Sequence, residues 1–133
     1  MRKLLWLWMG MIATIGAVFA MHDMALAKPS LDGQTFIGEV GKQGQPKGDK
    51  DTFIFKDGKF RSTACDPYGF KEASYKTASV GDVTIFNATA VSPKDGQMVW
   101  KGSLKGDQLE GTATWVKPGK PVVENWFKGK LKK

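Results

Sequence analysis

The chain has 133 residues, a formal net charge of +7, one cysteine and one histidine. A single cysteine excludes an internal disulfide framework, and a length of this order suits one domain with one core. The basic balance directs attention to anionic partners, and chemistry that needs several imidazoles or thiolates is closed to it.

At the start, Arg2 and Lys3 precede an uncharged, largely apolar run from Leu4 to Phe19, and a polar break at His22 and Asp23 leads to Ala25-Leu26-Ala27. This is the build of an export signal cut before Lys28, with a cut after Ala20 as the other position. The apolar run has sixteen residues, short of the roughly 20 that cross a bilayer. Residues 28–133 are therefore expected in the periplasm or outside the cell. The leader carries His22 and every methionine except Met98. Without it the chain has no imidazole, which removes Ser-His-Asp and Cys-His nucleophiles, His-ligated zinc and histidine-dependent haem attachment. The reading is of a non-enzymatic protein with no cofactor and no metal site. Arg2, Lys3 and Asp23 also leave with the leader, so 18 basic residues face 12 acidic ones and the net charge is +6. Its lysines are scattered between apolar positions, apart from the tail of Lys128, Lys130, Lys132 and Lys133. That distribution lacks the dense basic patch with interleaved aromatics of a nucleic-acid site, and an anionic envelope surface or an anionic ligand fits better.

Lys28 to Gln34 reads as a short lead-in, and Gly41 to Asp51 as a loop rich in Gly, Lys, Gln and Pro. The rest alternates with period two between turn residues, the pattern of consecutive antiparallel strands. Eight are predicted: Thr35–Val40, Thr52–Phe55, Lys59–Ala64, Lys71–Ala78, Asp82–Val91, Gln97–Leu104, Gln108–Val116 and Val122–Leu131. Two-residue turns set the register of two hairpins. Asp57-Gly58 pairs Phe55 with Phe60 and puts Phe53, Phe55, Phe60 and Ser62 on one face. Gly106-Asp107 pairs Leu104 with Leu109, Gly102 with Gly111, Trp100 with Ala113 and Met98 with Trp115.

An aromatic-x-Gly-x-aliphatic spacing recurs at Phe36-Ile37-Gly38-Glu39-Val40, Trp100-Lys101-Gly102-Ser103-Leu104 and Phe127-Lys128-Gly129-Lys130-Leu131. A glycine in the middle of an inward face lets a strand coil sharply or lets a large neighbour fill its place, which a small closed barrel needs. The first and last strands both carry the spacing. The predicted fold is therefore all-β, an eight-stranded antiparallel up-and-down barrel that leaves no open edge, with a two-sheet β-sandwich as the alternative.

The inward set joins Phe36, Phe53, Phe55, Phe60, Tyr75, Met98, Trp100, Trp115 and Phe127 to the small residues Gly38, Ala64, Ala73, Gly102, Gly111, Ala113 and Gly129. Large residues facing small ones can interdigitate into a solid core. The same aromatics with Ser62, Thr77 and Asn125 can instead line a ligand pocket. Where the third strand ends, Cys65-Asp66-Pro67-Tyr68-Gly69-Phe70 is a turn whose aromatics can lid the barrel mouth. Asp66 beside Cys65 raises the thiol's pKa, which favours a buried structural cysteine over a nucleophile.

Several positions together resemble a group of small secreted bacterial proteins of uncharacterised function over nearly the whole exported chain. They are Leu31-Asp32-Gly33, Phe55 to Phe60, Ser62-x-x-Cys65, Gly69-Phe70, Tyr75, Ser92-Pro93, Trp100-x-Gly102, Gly106-Asp107, Gly111 and Trp126-Phe127-x-Gly129. In architecture the chain is similar to lipocalin-like and other calycin-type barrels, a resemblance that implies a small apolar ligand in the barrel. Gly33-Gln34-Thr35-Phe36 stands where lipocalins carry Gly-x-Trp. The expected function is thus binding of a small hydrophobic or amphipathic ligand. Phe53, Phe55, Phe60, Trp100 and Trp115 would line the site, with Cys65, Tyr68 and Phe70 at its rim. The alternative is an envelope interaction protein that touches an anionic surface or a protein partner through its lysines and Trp126.

Overall fold

Period-two alternation becomes eight strands, and a computed structural model describes them within residues 30–133. The export leader expected over 1–27 and its cleavage sites lie outside the described residues. In chain order the strands are β1 (Thr35–Lys42), β2 (Asp49–Lys56), β3 (Lys59–Ser62), β4 (Ala73–Val80), β5 (Val83–Ser92), β6 (Gly96–Lys105), β7 (Gln108–Val116) and β8 (Val123–Leu131). Each pairs antiparallel with the next, and β8 returns to β1, so the sheet closes into a barrel rather than splitting into a sandwich. Both predicted hairpin registers are present, Phe55 opposite Phe60 and Trp100 opposite Ala113. Asp57 (φ 53°) and Gly58 (φ 73°) both take the left-handed backbone of a two-residue hairpin turn.

Glycines make the closure. At the β1–β8 seam Gly38 faces Gly129, and a Cβ on Gly38 would stand 1.8 Å from the Lys128 carbonyl oxygen. Only two bare backbones can approach so closely. Inside, a Cβ on Gly102 would stand 2.6 Å from the Phe86 ring and 2.7 Å from the Phe127 ring, so the two aromatics occupy that space.

The boundaries differ most at one end of the barrel. β1 and β2 run on to Lys42 and back from Asp49, so the expected loop over Gly41–Asp51 shrinks to its middle. β3 stops at Ser62, two residues early, because Thr63–Tyr68 turns across the barrel mouth as a short 3₁₀ helix, η1, ended by Gly69 at φ 81°. β3 meets β4 only through Lys59 opposite Ser74 and Phe60 opposite Ala73.

Half of the interior is solid. Phe36, Phe53, Phe55, Phe60, Phe86, Trp100 and Phe127 are each at most 1 % exposed. Most of their rings meet edge to face or tilted, as in Phe60–Trp100 at 5.0 Å and Phe55–Phe86 at 5.0 Å between centroids, while Phe53 and Phe60 stack at 6.4 Å, arrangements aromatic quadrupoles favour. The residues ahead of β1 close this end. Buried Leu31 joins the core, the Asp32 carboxylate accepts from the Gly58 amide and the Tyr75 hydroxyl, and the Gly33 amide donates to the Phe55 carbonyl.

Candidate functional site

The other end is open. Here the β1–β2 loop, η1, the β5–β6 turn and the β7–β8 loop surround a cleft of about 600 Å³, within the range of roughly 300–1,000 Å³ typical of small-molecule sites. Val40, Cys65, Phe70, Met98, Trp115 and Val123 supply apolar wall and floor. Asn125 adds an amide to the floor, and Lys42, Gln45, Lys47, Asp49, Tyr68 and Asp95 stand at the lip.

The wall made by η1 is held from two sides by buried polar side chains. Asp51 of β2, 3 % exposed, accepts hydrogen bonds from the Ser62 hydroxyl, from the Ala64 amide at 3.0 Å and from the Thr63 hydroxyl at 3.4 Å. Thr63 accepts in turn from the Thr52 amide. On the far side the Ser92 hydroxyl, 4 % exposed, donates to the Tyr68 carbonyl at 2.7 Å. It also accepts from the Lys94 and Asp95 amides. Backbone groups of a segment that leaves the sheet must find such partners, and Asp51 and Ser92 supply them. Outside, Arg61 pairs with Asp66 across the turn. On the floor, the Trp115 indole N–H donates to the Asp95 carbonyl at 2.7 Å and the Asn125 amide donates to the Ala113 carbonyl at 3.1 Å, which fixes both side chains against the wall.

Burial pushes the Asp51 carboxyl above its ordinary range, with the hydrogen bonds from Ser62, Ala64, Thr52 and Thr63 opposing. Burial likewise pushes the Cys65 thiol up, opposed by a hydrogen bond with Ser62 and reinforced by Asp51 and Asp66. The thiol is thus held in its neutral form, the less reactive one. Among the described residues, no three His, Cys, Asp or Glu side chains gather as metal ligands.

Of the eight residues expected at a binding site, the fold divides four from four. Trp115, Cys65, Tyr68 and Phe70 line the cleft. Phe53, Phe55, Phe60 and Trp100 lie in the packed half, closed off by one another and by Phe86. Sequence reasoning passed over Asp51, which it placed in a loop. It also passed over the lip residues Lys42, Lys47 and Asp95, whose proximity depends on how three separate connections converge.

A second depression, a shallow crease of about 710 Å³, crosses the outer face of β6–β8 beside Ile85, Lys101, Lys128 and Trp126. Trp126 faces outward as expected but is tied down. Its indole N–H donates to the Gln45 carbonyl at 2.9 Å, the Lys128 ammonium lies 5.5 Å above its ring, and its edge rests on Gly41.

Comparison of the chain with protein-family models, with curated proteins and with solved structures gives no match.

Proposed function

We propose that the protein is an exported, non-enzymatic binding module, lipocalin-like in form, that holds a small amphipathic molecule in the cup at its open end. The observation that carries this reading is the cup itself: a cleft of about 600 Å³ with apolar side chains on its floor and polar ones at its lip, above a solid aromatic plug. A barrel built only for stability has no need to leave one end unfilled, since each unfilled volume forfeits packing. The neutral, partly screened Cys65 and the absence of histidine from residues 28–133 support a role without nucleophilic chemistry.

Native mass spectrometry of the protein purified from its own source tests the reading. An added mass that leaves on denaturation, and that is missing from a folded Val123→Trp variant whose indole fills the cup, supports it. A bare chain mass, joined to failure of the cup to take up amphiphiles, overturns it. The outer crease favours a second reading, contact with an anionic surface through Lys101 and Lys128. Such contact would weaken steeply with salt, whereas occupancy of the cup floor would not.

A further inference from the structure

We infer that the cup selects amphiphiles with an anionic head, seated at the lip between Lys42 and Lys47 with the apolar body running down onto Met98 and Trp115. The inference rests on the ligand-binding reading of the cup and names the ligand's charge class.

Polarity in the cleft is directional. Lys42 ends β1 and Lys47 lies in the β1–β2 loop; both are exposed and in no ion pair among the described residues. Of the two lip carboxylates, Asp95 is already engaged by Lys117 at 3.5 Å. Asp49 is the lip carboxylate left to offset the two ammonium groups, with Glu39 beside the loop engaging the Gly48 amide at 3.1 Å. Deeper down, the described lining carries no cation. Asn125 gives one of its two N–H groups to the Ala113 carbonyl, while the buried Asp51 carboxyl lies behind the Cys65 wall. With the cations confined to the lip, an anion gains nothing on the floor and is held at the lip. There the head also keeps part of its hydration, avoiding the heavy cost of burying a charge. A cationic head would meet Lys42 and Lys47 on entry, and a neutral one would use the floor alone.

The test uses decanoate, decanol and decylammonium as probes, titrated into the purified protein near neutral pH and low salt with tryptophan fluorescence and calorimetry as readouts. Decanoate is expected to bind about five-fold tighter than decanol or better, the scale of two exposed ion pairs, and decylammonium weaker than decanol. Replacing both lysines, Lys42→Gln with Lys47→Gln, should bring decanoate to the affinity of decanol and leave decanol unchanged. Raising salt to about 0.5 M should do the same to the wild type. Equal binding of decanoate and decanol to the wild type, or parallel loss of both in the folded double variant, overturns the charge assignment and leaves the cup as a binding site. Failure of all three probes to bind overturns the cup reading together with it.

Discussion

Trp100 and Trp115 occupy the same inward face of neighbouring strands, yet they meet different surroundings. Trp100 touches Phe53, Phe60 and Phe127 with centroids 5.0 to 6.0 Å apart and is 1 % exposed. Trp115 is half-buried at the cup floor. Trp100→Ala would open a cavity in the middle of the plug, and a loss of about 3–5 kcal/mol is expected from urea unfolding, against much less for Trp115→Ala. Asp51 invites a different test. Because burial raises its pKa, the folded protein binds this proton more readily than the unfolded chain does. Its contribution to stability therefore grows as pH falls from the raised folded value toward the unfolded value of about 4. In Asp51→Asn that slope is gone. The urea midpoint of the wild type is expected to gain on that of the variant as pH drops through this window. A constant difference would mean that the hydrogen bonds from Ser62 and Ala64 cancel the effect of burial.

For single elements, what could be read from sequence followed local chemistry. Asp57-Gly58 and Gly106-Asp107 carry their turn type in two residues, so both hairpin registers were legible. The recurring glycines likewise announced the seam, where Gly38→Val would drive a side chain into the Lys128 carbonyl. That variant is expected to lose at least 1–3 kcal/mol and to show a lower thermal midpoint by circular dichroism. β5 was harder. Its outward face carries Val83, Ile85 and Val91 while its inward face carries Ala88 and Ala90 beside Phe86. Alternation alone does not say which side is the core when rings from other strands already fill the space. Phe86 was accordingly missed. The end of β3 was hidden for a related reason. Thr63–Tyr68 leaves the sheet because Asp51 and Ser92, far away in sequence, satisfy its backbone. Half of the expected site fell in the plug because spacing identifies an inward side chain without giving its depth along the barrel axis.

As a whole the molecule is a cylinder with two unlike ends. Leu31 and Asp32 seal one, where Asp57-Gly58 turns, and the cup opens at the other. Among the described residues every strand neighbours its predecessor in the chain, and the one strand pairing between distant segments is the seam that joins β1 to β8. At that seam the Lys132 amide donates to the Thr35 carbonyl, so the last strand ends beside the beginning of the first. The consequence is that no strand has a privileged place in the order of synthesis. A circular permutant that starts at Asp107 and joins Lys133 to Ser30 through a short Gly/Ser linker should keep the same circular dichroism spectrum and the same aromatic plug. It should differ mainly in which hairpin forms first. Such a permutant that fails to fold would show that β1 must be made before β8 arrives, and that the ring of strands has a beginning after all.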